Sequence, residues 1–168
     1  MPGTRFDAAW ARKVHAARGP VPVAVSEVLA RLGGAPGSVV VAAALGGLLL
    51  RRRGPRSAAA FVVAAAVDQA LVTRMKRLAR RPGPIGAGRA DRGSFPSGHT
   101  AYSAVIAATL VLASRSSWAR AAAVALVPLM AAGRTVTEAH WLTDTVAGAV
   151  CGTSTAAVVA AVLLPVRA

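Results

Sequence analysis

The side chains able to do chemistry fall into two clusters. The first contains Arg74, Lys76, Arg77, Arg80, Arg81 and Pro82, then Pro96-Ser97-Gly98-His99; the second contains Arg134, Glu138, His140 and Asp144. Arginine offers a fixed fork of donors that matches phosphate oxygens. Proline suits a first helical turn and glycine lets an anion approach free N–H groups, so Pro96 to His99 reads as a helix start that can face a phosphate. His140 and Asp144 are four residues apart and share a face on a helix. A carboxylate on one imidazole nitrogen fixes the tautomer and leaves the other nitrogen free to attack. His99 comes from the other cluster and is suited to protonate a leaving oxygen. The chemistry that assembles is phosphoryl transfer to histidine, followed by hydrolysis. No cluster of carboxylates or cysteines offers a metal site, Cys151 being the sole cysteine.

The elements that must position these groups are membrane helices. Of 168 residues, 55% are hydrophobic and only 15% charged, too apolar for an ordinary soluble domain. Uncharged stretches lie between Arg31 and Arg51, from about Thr100 to Ser114, from about Ala119 to Gly133 and from Thr145 to Val166; a further one, between Arg56 and Arg74, is broken only by Asp68 and Gln69. A crossing helix needs about 20 apolar residues, and helices satisfy their own backbone in lipid. The expected architecture is therefore all-α: an integral membrane bundle of about five transmembrane helices. Odd connectivity puts both clusters on one side of the membrane. Residues 33–168 form the bundle, preceded by a basic segment over 1–32, in which Phe6, Trp10 and Val14 recur at a spacing of four. That stripe predicts an interfacial helix.

The balance of 20 Lys+Arg against 6 Asp+Glu gives a net charge of +14. Because these charges sit between apolar stretches, they point to a membrane and an anionic lipid rather than nucleic acid. Arg51, Arg52, Arg53 and Arg56 read as a loop facing head groups, and Trp118 and Trp141 as interface anchors. Asp68, inside a span, reads equally as a functional group or an arginine's partner; Glu138 reads as a loop carboxylate, and Cys151 as a small buried residue.

Three ordered motifs then carry a family resemblance: Arg74-x6-Arg81-Pro82, Pro96-Ser97-Gly98-His99 and Gly133-Arg134-x5-His140-x3-Asp144. The sequence resembles the type 2 phosphatidic acid phosphatase (PAP2) superfamily of membrane lipid phosphatases over residues 58 to 166. The resemblance implies a nucleophilic His140, an orienting Asp144 and a general acid in His99. It implies phosphate ligands in Arg74, Arg81, Ser97, the Gly98 amide and Arg134, with no cofactor. Two positions depart from the family pattern: its lysine is Arg74 and its serine is Gly133, with Lys76 an alternative reach to the phosphate. A soluble haloperoxidase shares this constellation, but the spans argue against it; a non-enzymatic scaffold would not need the histidines in register.

The motifs leave the lipid open. The arginine- and alanine-rich composition matches translation of GC-rich DNA, and the chain is near the family's minimal size, like small bacterial members acting on prenyl carriers. The expected substrate is a polyprenyl-linked phosphate of envelope synthesis, such as decaprenylphosphoryl-5-phosphoribose. Prenyl diphosphates, phosphatidic acid and phosphatidylglycerol phosphate are the alternatives. The catalytic side carries 13 Lys+Arg, including Arg89 and Arg92, against 7 on the other, including Arg167. The positive-inside rule then places the site at the cytoplasmic face of a bacterial inner membrane.

Overall fold

The computed structural model describes residues 3–84 and 93–164. Among these, the regular elements are seven helices: α1 (Arg5–Ala16), α2 (Pro20–Gly33), α3 (Gly37–Arg53), α4 (Pro55–Ala79), α5 (Gly98–Ala113), α6 (Ser117–Val136) and α7 (Leu142–Leu163). Arg89, Arg92 and Arg167 lie outside the described residues, as does the end of the fifth apolar stretch. Local chemistry sets the boundaries. Thr4 caps α1 in a reciprocal pair with Asp7, prolines open α2 and α4, and Ser97 and Ser116 cap α5 and α6 through their hydroxyls.

Three helices, α4, α6 and α7, are each long and apolar enough to cross a membrane, and α2 with α3 forms a fourth candidate span bent by 65°. The bend falls at Gly34-Ala35-Pro36, where proline and paired glycines interrupt the helical hydrogen bonds. The third apolar stretch is α5, a shorter apolar helix of 16 residues. It runs through the middle of the bundle from one end to the other, packed against α4, α6 and α7. Ala101, Ala104, Val105, Ile106 and Ala107 are all buried there. The outer faces keep Val62, Val146, Val150, Val158 and Val162 exposed, the expected surface for helices whose solvent is hydrocarbon.

Close approach of α5 to α7 depends on Gly148 and Gly152. A Cβ at Gly148 would strike the carbonyl of Ser97, and one at Gly152 the carbonyl of Ala101. Without side chains, the two backbones pack directly, as small-xxx-small pairs allow in membranes. Where the sequence suggests one basic amphipathic segment over 1–32, the chain forms two helices. α1 touches α6 and α7, and α2 lies across α6 with contacts to α5. Ser26 of α2 lies against Gly133, and Gly33 against His99 and Met130.

This packing has a measurable consequence. Gly152→Val should lower the melting temperature of the detergent-solubilised protein by at least about 5 °C, whereas Val146→Ala on the outer face should shift it by under about 1 °C. Equal shifts would mean that the α5–α7 approach is not limiting.

Candidate active site

The site lies at the end of the bundle where α4 and α6 finish and α5 and α7 begin. A main-chain bond from Ser97 N–H to Asp144 carbonyl, 2.9 Å, joins the starts of α5 and α7. Ser97 is fully buried. Its hydroxyl oxygen accepts from the Thr100 hydroxyl at 3.1 Å and caps the helix at the Thr100 amide. Gly98 follows as the first helical residue, so its amide is one of the unpaired donors at a helix start.

His140 stands just before α7 rather than on it. Its amide donates to the Arg134 carbonyl at 3.3 Å, which folds the end of α6 back toward the site. Asp144 is in the first turn of α7. The four-residue spacing therefore works through a turn, not through a shared helical face. His140 Nδ1 lies 3.7 Å from Asp144 Oδ2, in register but beyond hydrogen-bond length. The ring is only 8% exposed. Burial pushes the imidazolium toward lower pKa; Asp144 pulls the other way, and the positive charges of Lys76 and Arg134 add to the lowering. A neutral imidazole is the form that can attack.

Asp144 is fully engaged. Its Oδ1 accepts from Arg81 Nη1 at 2.6 Å, and its Oδ2 from the Trp141 amide at 3.0 Å. Arg81 is thus held on the chain's own carboxylate. Trp141 does not simply anchor in the interface: its indole N–H donates to the Pro82 carbonyl at 2.9 Å, tying the first motif to the third. Trp118 is 85% exposed, as an interfacial ring would be.

Arg74 is not brought to this cluster. It is exposed on α4, beside Gln69, Thr73 and Arg77. The inward stripe of α4 is Phe61, Ala64, Asp68 and Val72, which Lys76 continues one turn on; two residues of helix rotate Arg74 about 200° away from Lys76. Lys76 Nζ donates to the carbonyls of Gly93 at 3.0 Å and Ser94 at 3.4 Å. Lys76, not Arg74, is the α4 cation at the site. Asp68 has no arginine partner among the described residues; it meets the thiol of Cys151 across the α4–α7 contact.

His99, half-buried at the start of α5, turns toward α2, with Nε2 donating to the Ala30 carbonyl at 3.1 Å. Two further contacts fasten the N-terminal helices over the site. Glu138 accepts from His15 Nδ1 at 2.8 Å and pairs with Arg18 at 3.0 Å, which holds its carboxyl below the ordinary range. Asp7 reaches Arg81 and Thr143. Asp7 was not singled out from sequence, where Thr4-x-x-Asp7 signals only a helix start; its one further signal is being an acid in a basic segment. A cavity of about 630 Å³ lies at the opposite end of the bundle, between Arg53, Arg56, Phe61 and Leu112. It is therefore distinct from the site.

The profile of the PAP2 superfamily matches residues 57–167, so the chain belongs to the PAP2 superfamily. Its fold is similar to the crystal structure of the first transmembrane PAP2-type phosphatidylglycerolphosphate phosphatase from Bacillus subtilis. That likeness has 21% identity and a TM-score of 0.81, over 94% of this chain and 84% of that one. It is also similar to Aquifex aeolicus LpxE, with 23% identity and a TM-score of 0.79 over 93% of this chain and 95% of that one. Among curated proteins none matches this sequence.

The exchange of Arg74 for Lys76 can be tested directly. Lys76→Gln should reduce turnover of a phosphate ester by about 100-fold, the usual scale for one charge-stabilising donor, and Arg74→Gln by less than about threefold. The reverse order would return Arg74 to the site.

Proposed function

We propose that this protein is a membrane phosphatase that removes phosphate from a lipid through a phosphohistidine on His140. The observation that carries the reading is a buried imidazole with a carboxylate behind one nitrogen and the charges of Lys76 and Arg134 around it. In the first step His140 Nε2 attacks phosphorus. The bond to the lipid oxygen breaks, and His99 gives that oxygen a proton. Asp144 stabilises the resulting imidazolium as its Nδ1 contact shortens to about 2.8 Å. In the second step water attacks the phosphohistidine, His99 takes the water's proton, and inorganic phosphate leaves. Lys76, Arg134, the Ser97 hydroxyl and the Gly98 amide hold the phosphoryl oxygens. Arg81 acts from behind Asp144.

The positive charge for this reaction comes from side chains. With Lys76 and Arg134 placed to neutralise the phosphoryl charge, the reading is of a metal-independent hydrolysis. For the substrate we favour a polyprenyl-linked phosphate such as decaprenylphosphoryl-5-phosphoribose. The reading is supported by the arginine- and alanine-rich composition, which matches translation of GC-rich DNA. Phosphatidylglycerol phosphate, phosphatidic acid and prenyl diphosphates are the competing substrates.

One assay addresses these points together: phosphate release from a panel of these lipids in detergent containing EDTA. Wild type should turn over the prenyl phosphates fastest, and His140→Ala and His99→Ala should each lose at least about 100-fold. His140→Ala with more than about a tenth of wild-type rate would remove the nucleophile assignment. Complete loss in EDTA, restored by Mg²⁺, would remove metal independence, and faster turnover of phosphatidic acid the prenyl class.

The basic balance supports a catalytic end facing the cytoplasm of a bacterial inner membrane. In a Cys151→Ala background, a membrane-impermeant thiol reagent should label Ser116→Cys in intact cells and miss Arg80→Cys. Labelling in the opposite order would invert the orientation.

A further inference from the structure

Asp7 is fully buried although it belongs to the N-terminal helix, outside the region that the family profile matches. Its Oδ2 accepts from Arg81 Nη2 at 2.7 Å and from the Thr143 hydroxyl at 2.8 Å, and its Oδ1 from the Thr143 amide at 2.9 Å. Thr4 adds its amide and hydroxyl at 2.9 and 3.0 Å. On the other side of the same guanidinium, Arg81 Nη1 binds Asp144 Oδ1 and the Thr143 hydroxyl at 2.6 and 2.7 Å. The groups form a row: Asp7, Arg81, Asp144, His140.

We infer that Asp7 is a positioning residue for the nucleophile, acting through Arg81 and Asp144 on His140. Asp144 can polarise His140 only while its negative charge is directed at the ring. An arginine clamped on its other oxygen withdraws that charge, and the effect is large where water is excluded. A second carboxylate on the far nitrogen of the guanidinium offsets the withdrawal, leaving the three groups with a net charge of −1. It also holds both ends of the fork, so Arg81 cannot rotate and carry Asp144 out of line. Burial alone would raise the Asp7 carboxyl, but the Thr143 and Thr4 amides, the Thr143 hydroxyl and Arg81 outweigh it and hold it at about 2. The carboxylate therefore stays charged across the working pH range. The first helix thus completes the catalytic machinery as well as covering it.

The assignment rests on the phosphatase reading above, and its test separates the two. kcat and KM are measured on monodisperse detergent-solubilised protein, with melting temperatures recorded in parallel. D7N keeps the size of the side chain and removes its charge; kcat should fall by at least about tenfold, with KM changed by less than about threefold, because Asp7 does not touch the substrate. D7E keeps the charge and should retain more activity than D7N. The double variant D7N/R81Q should be no slower than R81Q alone, because both act through one chain of contacts. If D7N does not fold, T143V takes its place: it removes one hydroxyl shared by Asp7 and Arg81, keeps every charge, and should lower kcat at unchanged KM. A wild type that releases no phosphate overturns both readings. An active wild type overturns the Asp7 assignment alone if D7N, or T143V in its place, leaves kcat within about twofold, or if D7N lowers KM and raises kcat as removal of an obstructing anion would.

Discussion

The site depends on how closely two backbones approach. Gly148 and Gly152 let α7 lie directly on α5, and one turn above that contact the Ser97 amide reaches the Asp144 carbonyl. That bond sets the second motif against the third. Were the helices held apart by even one methyl group at each glycine, the α5 amides and His140 would face separate volumes. A core of alanine, glycine and valine is therefore more than a by-product of composition. In lipid, association draws little on the hydrophobic effect, and tight van der Waals contact between small residues takes its place.

A dry site made of charges has a second requirement. Bringing Arg81, Asp7 and Asp144 out of water is costly, and their attraction repays it only when each donor and acceptor is placed. The carboxylates meet that condition by drawing on main-chain amides of Thr143, Thr4 and Trp141 as well as on the guanidinium. The start of α7 thus serves both acids at once, with its exposed N–H groups and dipole favouring negative charge. Lys76 reaches the carbonyls at positions 93 and 94, and Glu138 pairs with His15 and Arg18. Lys76, Arg81 and Arg18 thereby each double as a tie between segments separated in sequence.

Much of this was legible in the amino-acid order. Apolar stretches between arginines locate α3 to α7, and the Gly-Gly-Ala-Pro break marks the bend before α3. The register of His140 with Asp144 survives, although the link is a turn. What escaped depends on phase and on long-range pairing. Which of Arg74 and Lys76 faces inward is set by the rotation of α4 in the bundle, fixed by Phe61, Ala64 and Val72 rather than by the motif itself. The shortness of α5 was hidden because uncharged residues beyond its ends look the same as residues within it. The covering of the site by α1 and α2 follows from contacts such as Ser26 on Gly133, to which a local pattern is blind.

The separation of Asp7 from Thr143, 136 residues, also bears on how the protein is made. Synthesis delivers α1 first and the partners of its buried acid near the end. Until Arg81 and then Thr143 have emerged, the Asp7 carboxylate must remain hydrated at the membrane surface, because burying it unpaired is too costly. Docking of the first helix therefore waits on insertion of the last one. Contacts of such long range form late, and here the late step closes the bundle and completes the row of charges together. A chain stalled before α7 has every helix of the scaffold but one, yet lacks both Asp144 and the Thr143 anchorage of its amino-terminal helix, so closure of this end of the bundle and full membrane insertion arrive in a single event.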